Sequence, residues 1–364
     1  MEDTRWMRLA LSLGARGLGR TWPNPAVGCV LVREGRVVGR GSTAPGGRPH
    51  AEVVALRQAG GLAHGATAYV TLEPCSHQGQ SGPCTEALIA AGVARVVIAA
   101  HDPNPVAGGG AARLRAAGIE VVEGVLRAAA EADHQGFLTT LRAGRPMLTL
   151  KLATSVDGRI ATASGESQWI TGPQARRRVH AMRMRHDAVM VGAGTARADD
   201  PGLTVRGMGV AHQPVRVVLS RRLDLPLGGQ LGRTAREVPV WLLHGPDAPK
   251  AARAAWIERG ARLIEVATGP GGQIDLAAAM ARLGDAGLTR VFCEGGGTLA
   301  AALLSADVVD DLAVFNGGLA LGAEGVPAVG AMGIARLSEA PKFALRSVER
   351  VGEDGLALWR RIDE

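Results

Sequence analysis

PHAEVVAL (residues 49–56) and TLEPCSHQGQSGPCTEALIAAGV (residues 71–93) are the two segments that decide the fold of the first half of the chain. The first predicts the start of a helix carrying His50 and Glu52, and the second predicts a strand before Cys75 and a helix that begins at Cys84. A catalytic tetrahedral zinc ion takes three protein ligands and keeps its fourth position open to water. We therefore expect one zinc ion per chain, bound by His50, Cys75 and Cys84.

The motif also contains an acidic residue, Glu52, which lies two residues from His50. Residues at this spacing do not share a face of a helix, so Glu52 is not expected to bind the same ion. In the H-x-E motif of zinc deaminases, the glutamate moves protons to and from the base. Those enzymes usually continue with P-C-x-x-C, whereas eight residues separate Cys75 from Cys84 here. The helix start at Cys84 also favours its thiolate form.

Strand and helix patterns alternate along both halves of the chain. In the first half this order predicts a mixed sheet with helices on its faces. The polar, turn-rich stretch 142–146 resembles a linker, which places a domain boundary there and gives domains 1–144 and 145–364. In the second half we predict strands at 147–153, 186–192, 214–220, 238–244, 262–266 and 290–294, with a β-rich tail at 343–351 and 357–362.

Composition narrows the class of protein. A chain of 364 residues with 46% hydrophobic and 21% charged residues is typical of two globular domains. No run reaches the roughly 18 apolar residues of a membrane span, and the chain start lacks a signal-peptide pattern. Four cysteines suit a reducing compartment, so we expect a cytoplasmic protein. We expect Cys29 and Cys293 in its core. The net charge is +7, and the positively charged residues form a cluster only at 175–186. Aromatic residues make up 3% of the chain. A small phosphate-bearing substrate is favoured over nucleic acid.

The second half contains two glycine-rich turns between a strand and a helix, at 191–201 and 294–304. Free N–H groups at a helix start suit a dinucleotide phosphate, although neither turn is the G-x-G-x-x-G motif of a Rossmann domain. A third strand ends at Ser220, followed by Arg221 and Arg222. A hydroxyl and two guanidinium groups suit a 2′-phosphate, so NADPH is preferred over NADH.

Together, these motifs resemble the RibD family of bifunctional riboflavin-biosynthesis enzymes. The resemblance rests on PNPAVGCVLV (23–32), the two segments quoted first, DPNP (102–105), KLATSVDGRIATASGESQWITGPQARRRVH (151–180), VGAGTARADDPGLTVR (191–206) and EGGGTLAAALL (294–304). It implies an α/β fold, with an N-terminal cytidine-deaminase-like α/β/α sandwich fused to a C-terminal dihydrofolate-reductase-like α/β domain. It also implies a homo-oligomer that uses zinc and NADPH. The substrate would be a phosphoribosylated pyrimidine, deaminated first and then reduced at its ribose.

The resemblance also assigns residues. It makes His50, Cys75 and Cys84 zinc ligands and Glu52 the proton donor. Around the deaminase pocket it places Asn24, His77, Asp102 and Asn104, for which turn formation is an equal alternative. The implied cofactor contacts are Ala153, Trp169, Thr195, Asp199, Ser220, Gly296, Gly297, Thr298, Leu299, Ala300, Ala301 and Ala302. The implied substrate contacts are Ser167, Arg183, Leu203, Arg206 and Glu294, with Arg183 and Arg206 on the ribose phosphate.

One departure and two alternatives accompany this interpretation. The family usually has a basic residue and a proline in the loop between the cysteines, where this chain has Gln80 and Gly82. One alternative is a deaminase of another base, including a tRNA base, whose second half binds substrate. The other is a nucleic-acid-binding protein with a structural zinc ion. A structural zinc needs a fourth ligand, for which only His77 is suitably placed.

Overall fold

The computed structural model describes residues 2–78, 82–269 and 271–362. The chain divides into two compact units, Met1–Gly144 and Arg145–Glu364. No helix in the described part of the chain is long and apolar enough to span a bilayer.

The first unit is built on a five-stranded sheet in the order β2-β1-β3-β4-β5. Its elements are α1 (Glu2–Gly14), β1 (Gly28–Arg33), β2 (Arg36–Ser42), α2 (Ala51–Ala59), β3 (Thr67–Leu72), α3 (Cys84–Ala90), β4 (Arg95–Ala100), α4 (Gly110–Ala116), β5 (Glu120–Glu123) and α5 (Arg127–Ala143). Strand β1 pairs antiparallel with β2 and β3, and β3, β4 and β5 are parallel. The hairpin between β1 and β2 turns at Glu34 and Gly35, both at positive φ, as a tight hairpin turn requires.

Helices pack on both faces of this sheet. The hydroxyl of Tyr69 in β3 donates to Asp3 of α1, 2.9 Å away, and α1 packs with α5. The next residue of the strand, Val70, pairs with Cys29, whose thiol faces Glu52 of α2, and helices α2, α3 and α4 pack in series. Since neighbouring residues of a strand point to opposite faces, the helices form two layers. The first unit is thus the expected α/β/α sandwich.

The second unit contains a nine-stranded sheet in the order β11-β10-β9-β8-β12-β6-β13-β16-β15. Its elements are β6 (Met147–Thr154), β7 (Arg159–Ala161), α6 (Pro173–Met184), β8 (Ala188–Gly192), α7 (Ala193–Asp199), β9 (Val215–Leu219), α8 (Gln230–Arg233), β10 (Val240–His244), α9 (Lys250–Glu258), β11 (Arg262–Glu265), α10 (Leu276–Asp285), β12 (Arg290–Cys293), α11 (Gly297–Ser305), β13 (Asp311–Asn316), β14 (Val326–Pro327), β15 (Phe343–Val351) and β16 (Asp354–Arg361). The first seven strands of that order are parallel, and β16 and β15 add an antiparallel edge.

The order of the parallel strands reverses between β8 and β12. After β8 the chain moves to β9, β10 and β11 on one side, and after β12 it moves to β13 on the other. Such a switch point leaves a crevice beyond the carboxyl ends of the two strands, where ligands of open α/β sheets bind. Both glycine-rich turns found in the sequence follow these two strands.

Three features differ from the sequence expectation. Helix α5 and strand β13 were not predicted, because alanines in α5 and the short run DLAVFN in β13 give weak patterns. The stretch 142–146 is only a short connection, since α5 continues to Ala143 and β6 begins at Met147. Gly144 ends the helix at φ 64°, and Arg145 forms a bidentate pair with Asp310, so this connection is anchored.

Candidate functional site

Three predicted metal ligands meet in the first unit. His50 is the N-cap of α2, Cys75 follows β3, and Cys84 is the first residue of α3. The His50 Nδ1 lies 3.3 Å from the Cys84 Sγ and 3.7 Å from the Cys75 Sγ, and the three donor atoms lie within 4.8 Å of one another. In a tetrahedral zinc site with bonds of about 2.0 to 2.3 Å, ligand atoms are roughly 3.3 to 3.8 Å apart. The residues present therefore fit a zinc ion.

The two cysteine thiols are close enough to interact in this arrangement. Cys84 donates its S–H to the Cys75 sulfur, and this contact, with further contacts from His50 and the Cys84 N–H, lowers the pKa of Cys75 to about 4. The same contact raises the pKa of Cys84. The Cys84 N–H at the start of α3 donates to the Cys75 Sγ at 3.4 Å, so the N-terminus of this helix also favours a thiolate at Cys75. A bound cation would replace the thiol proton of Cys84.

Glu52 lies beside this cluster and is 3% exposed. It belongs to α2, while His50 precedes the helix in an extended conformation, so the two side chains leave the backbone differently. Burial raises the pKa of Glu52 to about 7, and the negative charge of Cys75 adds to this effect. A carboxyl group with such a pKa is populated in both protonation states near neutral pH, as general acid–base chemistry requires.

A second buried carboxylate, Glu73, organises the loop behind the metal cluster. Its Oε1 accepts from the Ala111 N–H at 2.8 Å, its Oε2 accepts from the Asp102 N–H at 3.2 Å, and the His101 Nδ1 lies 2.5 Å from the same Oε2. Glu73 stands next to Pro74 and Cys75 in the motif, but its role depends on residues about thirty positions away. The sequence could not reveal that role, because α4 and the loop before it carry no recognisable partner motif.

The four pocket residues for which turn formation is an alternative have different surroundings in the structure. Asp102 and Asn104 each accept a backbone N–H two residues further on, which is turn formation. The Asn24 side chain packs against Gly47, where an added Cβ would lie 2.0 Å from its Nδ2. The buried His77 Nδ1 has no hydrogen-bond partner, and His77 is not part of the metal group. Within the described ranges no fourth His, Cys, Asp or Glu joins that group. Gln80 lies outside the described residues.

In the second unit, the two glycine-rich turns lie side by side at the switch point. The side chain of Leu299 in α11 packs on Gly295 and Gly192, where a Cβ would lie 2.6 Å and 3.4 Å from its Cδ2. A Cβ on Gly296 would meet only the Thr195 Oγ1, at 3.8 Å, so the turn has open space above it. The first N–H groups of α11 have no acceptor within the helix. This combination fits a dinucleotide phosphate.

The remaining residues of 296–302 contribute differently. Gly297, Ala300 and Ala301 are buried, so they pack α11 against the sheet, whereas Thr298 and Ala302 are exposed. A Cβ on Gly297 would lie 2.4 Å from the Pro327 carbonyl oxygen, which requires glycine there. Only the first turn of the helix therefore faces the crevice with its backbone.

Arg183 and Glu294 form a bidentate ion pair beside the same crevice. Arg183 Nε and Nη2 lie 2.5 and 3.1 Å from the two Glu294 oxygens, and Nη1 donates to the Thr204 carbonyl at 2.8 Å. The Lys151 ammonium lies 3.9 Å from Glu294. Burial opposes the ionisation of Glu294, yet the charges of Arg183 and Lys151 keep its pKa below the usual range. Burial lowers the pKa of Lys151. The sequence analysis assigned no role to Lys151, although it is one of only three lysines.

The loop after α7 joins this cluster. Leu203 is buried at φ 51°, and Thr204 accepts from Arg183. The exposed Arg206 donates its N–H to the His180 Nδ1 at 3.3 Å. Burial, together with the charges of Arg183 and Arg206, lowers the pKa of His180, so its ring stays neutral and can accept this bond. Four of the five predicted substrate residues are thus neighbours. Ser167 is exposed, and no described contact joins it to them.

The predicted cofactor residues are more dispersed. Ala153 is half-buried in β6, and burial raises the pKa of Asp199. Trp169 is 66% exposed, with the Arg176 guanidinium 4.5 Å from its ring, and it lines a cleft of about 360 Å³ with Gly318, Leu319 and the buried Asp354. Ser220 is buried at the end of β9. Arg221 donates to the Gly272 carbonyl at 2.8 Å, a contact that holds a neighbouring loop.

Known families match both units. The model of the cytidine and deoxycytidylate deaminase zinc-binding region matches residues 1–100, and that of the RibD C-terminal domain matches residues 146–357. A riboflavin biosynthesis protein RibD of Escherichia coli (strain K12) is 44% identical over 361 residues, which are 97% of this chain and 98% of that protein. The chain belongs to the RibD family.

Further RibD relatives cover the chain at similar lengths. The RibD protein of Aquifex aeolicus (strain VF5) is 39% identical, over 99% of this chain and 98% of its own. The solved structure of Acinetobacter baumannii RibD has a TM-score of 0.88 at 38% identity, covering 100% and 99% of the two chains. That of a Thermotoga maritima diaminohydroxyphosphoribosylaminopyrimidine deaminase / 5-amino-6-(5-phosphoribosylamino)uracil reductase has a TM-score of 0.86 at 34% identity, covering 99% of each chain.

Membership in the RibD family establishes a bifunctional deaminase and reductase of riboflavin biosynthesis. The expected fold class is confirmed, with a cytidine-deaminase-like domain followed by a dihydrofolate-reductase-like one. The cofactors of the family are zinc in the deaminase and NADPH in the reductase. The residues that this chain uses for substrate and cofactor remain predictions.

Proposed function

We propose that the first unit deaminates 2,5-diamino-6-ribosylamino-4(3H)-pyrimidinone 5′-phosphate, and that the second reduces the product, 5-amino-6-(5-phosphoribosylamino)uracil. The observation that carries the proposal is the His50, Cys75 and Cys84 cluster beside a buried Glu52, in the same chain as the glycine-rich switch point. These are the two reactions in the name of the Thermotoga maritima relative. Neither alternative from the sequence accounts for both features.

In the deaminase, the work of this chain falls to Glu52. A zinc ion with three protein ligands acts as a Lewis acid that makes water nucleophilic at neutral pH. Glu52 takes a proton from the attacking water and gives it to the ring nitrogen as the water oxygen adds to the ring carbon. It then carries the proton of the added hydroxyl group to the amino group, the C–N bond breaks as the ring carbonyl forms, and ammonia leaves. Its burial keeps bulk water from competing for these protons.

In the reductase, the cluster of Lys151, Arg183 and Glu294 lies where the substrate would meet the cofactor. NADPH supplies a hydride, which adds to C1′ of the ribosyl group. The C1′–O4′ bond breaks, and O4′ takes a proton. We assign that proton to Lys151, because burial lowers the pKa of its ammonium and so makes it a better acid. Glu294 fixes Lys151 and Arg183 in place.

The substrate phosphate is assigned to Arg206 and Arg183. Arg206 is exposed, and its backbone is held by His180. Arg183 uses three N–H groups on Glu294 and Thr204, and a guanidinium group has five. Arg206 is therefore the main phosphate contact, with Arg183 as a second donor that also orders the loop.

The test follows ammonia and NADPH separately. Purified full-length protein is incubated with the diaminopyrimidinone nucleotide, with and without NADPH. We expect ammonia in both cases, and NADPH oxidation only after ammonia has formed. NADPH oxidation without ammonia, or no ammonia at all, would contradict the order of reactions.

We further propose that the chain forms a homo-oligomer through β15. This strand is the edge of the nine-stranded sheet, and its Leu345 and Val348 are 50% and 68% exposed. An edge strand carries unpaired backbone N–H and C=O groups, and with exposed apolar side chains it is a template for pairing with a second copy. Light scattering should show that Val348→Lys lowers the oligomeric mass, whereas Ile257→Lys on exposed α9 does not. An unchanged mass in Val348→Lys would exclude this edge.

A cytoplasmic location is proposed on the state of the cysteines. All four are free, and two of them belong to the metal cluster. Thiolate ligands persist in a reducing compartment. Cell fractionation with an antibody to the chain tests the location.

A further inference from the structure

Three polar side chains meet at the carboxyl end of β9. The Ser220 hydroxyl donates to the Asp224 Oδ1 at 3.1 Å, and the Arg197 Nη1 donates to the Asp224 Oδ2 at 2.7 Å. Ser220 directly follows β9, Asp224 lies four residues further on, and Arg197 comes from α7 in the preceding connection. A hydroxyl and a guanidinium thus converge on one carboxylate.

This donor pair is the kind that binds a phosphate monoester, and here it binds an internal anion instead. Arg197 and Asp224 are 47% and 63% exposed at their side chains. Exposed ion pairs contribute little free energy, so a ligand with more negative charge can take the guanidinium from Asp224. A phosphate offers three acceptor oxygens and up to two charges, and it therefore competes well for both donors.

The position of the three residues fits the adenosine end of a dinucleotide. Arg197 is two residues beyond Thr195, whose hydroxyl lies beside Gly296 at the switch point. Strand β9 is the neighbour of β8, on the side away from β12. A dinucleotide whose pyrophosphate lies at the first turn of α11 can extend over the end of β8 toward the end of β9.

The arginines that follow Ser220 are less suitable. Arg221 donates to the Gly272 carbonyl and lies 3.8 Å from Asp247, so its guanidinium is turned to the loops after β10 and β11. Arg222 is exposed, and none of its described contacts reaches Ser220 or Asp224. Arg197 shares a partner with Ser220, which neither of the other two does.

We propose that Arg197 and Ser220 bind the 2′-phosphate of NADPH, and that Asp224 is the resident anion that this phosphate displaces. Asp224 then limits the preference of the chain for NADPH over NADH, because its charge both occupies the donors and repels the phosphate. The inference rests on the proposed reductase function and adds two residues that set cofactor specificity.

The test uses two fragments that differ only in the 2′-phosphate, namely 2′,5′-ADP and 5′-ADP, with binding measured by calorimetry on the full-length chain. We expect Arg197→Ala to weaken 2′,5′-ADP by about tenfold to a hundredfold, since it removes a charge-assisted hydrogen bond. Asp224→Asn should tighten 2′,5′-ADP by roughly tenfold, because it removes a nearby like charge. Neither change should affect 5′-ADP. The ratio of kcat/KM for NADPH and NADH should shift in the same directions.

Matched controls come from an exposed Arg–Asp pair on α10. Arg282 and Asp285 lie 3.7 Å apart in the same unit, so Arg282→Ala and Asp285→Asn make the same charge changes elsewhere. They should leave both affinities unchanged. Arg197→Lys keeps the charge without the forked donors and should fall between wild type and Arg197→Ala.

The outcomes separate this inference from the function on which it rests. If the wild-type chain oxidises NADPH but Arg197→Ala and Asp224→Asn leave the ratio of the two affinities unchanged, the inference is wrong and the reductase stands. If Arg222→Ala lowers 2′,5′-ADP affinity instead, the phosphate site belongs to Arg222. If the wild-type chain binds neither nucleotide and oxidises neither cofactor, the reductase function fails with it.

Discussion

In the first unit, two short segments supply three metal-ligand atoms and a buried carboxylate, whereas in the second unit the site gathers residues from the ends of several strands. His50, Glu52, Cys75 and Cys84 span only 35 positions. Arg183 and Glu294, which form one ion pair, are 111 residues apart. A metal demands particular ligand atoms, so its site is specific in residue type. A dinucleotide is bound mostly by backbone N–H groups at a switch point, so its site is specific in topology.

The largest effect is expected from removing one predicted metal ligand, which should affect the first unit and not the second. Cys75→Ser should reduce zinc from about one ion per chain to nearly none and abolish deamination, because the three-ligand site then has two strong ligands. The reductase should still reduce the deaminated nucleotide, since its residues lie in the second unit. Metal analysis and a separate assay of each reaction measure this.

Cys29→Ala is the matched control. Cys29 is fully buried in β1, and burial raises the pKa of its thiol, so it is a core residue and not a ligand. It should retain zinc. Full zinc content in Cys75→Ser would refute the ligand assignment.

A substitution of the predicted proton carrier, Glu52, should have a smaller effect. Glu52→Gln should keep zinc and lose deamination by about a hundredfold to ten-thousandfold, because the amide fills the same space without carrying a proton. Single-turnover ammonia release measures the loss, and NADPH oxidation of the deaminated nucleotide should be unaffected. Glu86→Gln, on the exposed side of α3, is the control for the same chemical change and should be active. Normal deamination by Glu52→Gln would remove the proton role.

The difference between a site specified by residue type and one specified by topology also explains how much of each site the sequence predicts. The structure brings together the three side chains that the sequence predicts as metal ligands, because the H-x-E and P-C motifs fix both residue type and local structure. The Arg183–Glu294 pair and its contact with Lys151 were not predicted, since they require two strands and a helix, β6, β12 and α6, to assemble. Ser220 was predicted with Arg221 and Arg222 as partners, but its described partner is Asp224. Adjacency in sequence is a poor guide where turns direct side chains to different loops.

The activity of the second unit should instead depend on the backbone conformation of its glycine-rich turn. Gly297→Ala places a Cβ 2.4 Å from the Pro327 carbonyl oxygen, so the start of α11 must shift. Overpacking of this kind typically costs about 1 to 3 kcal/mol. We expect loss of stability and of NADPH oxidation, with deamination retained. Calorimetry and both assays check this.

Gly228→Ala is the control for Gly297→Ala. A Cβ at Gly228 meets no atom within 4 Å, and this glycine is not at a positive φ. It should be close to wild type in stability and in both reactions. Equal behaviour of the two variants would show that the turn at 295–297 is not held by close packing.

The smallest expected effect concerns two histidines that the units use in opposite ways. His50 is a predicted metal ligand, whereas His186 is buried between Thr149 and the Met182 carbonyl, 3.0 and 2.7 Å from its ring nitrogens. Burial lowers the pKa of His186 to about 3, and the Arg290 charge adds to this effect. The folded unit therefore takes up its proton at lower pH than the unfolded chain, whose histidine titrates near 6.5. Stability from His186 is complete above pH 6.5 and is lost as the pH falls toward 3.

Between pH 7 and pH 5 this histidine alone should lower the free energy of unfolding by about 2 kcal/mol. His186→Gln does not titrate in this range, so the variant, although less stable at pH 7, should lose less stability on acidification than the wild type. Chemical denaturation at the two pH values measures the difference, and only the difference matters, because other groups titrate equally in both proteins. The same slope in both proteins would mean that the pKa of His186 is the same in the folded and unfolded chain, which would contradict the lowering of this pKa by burial.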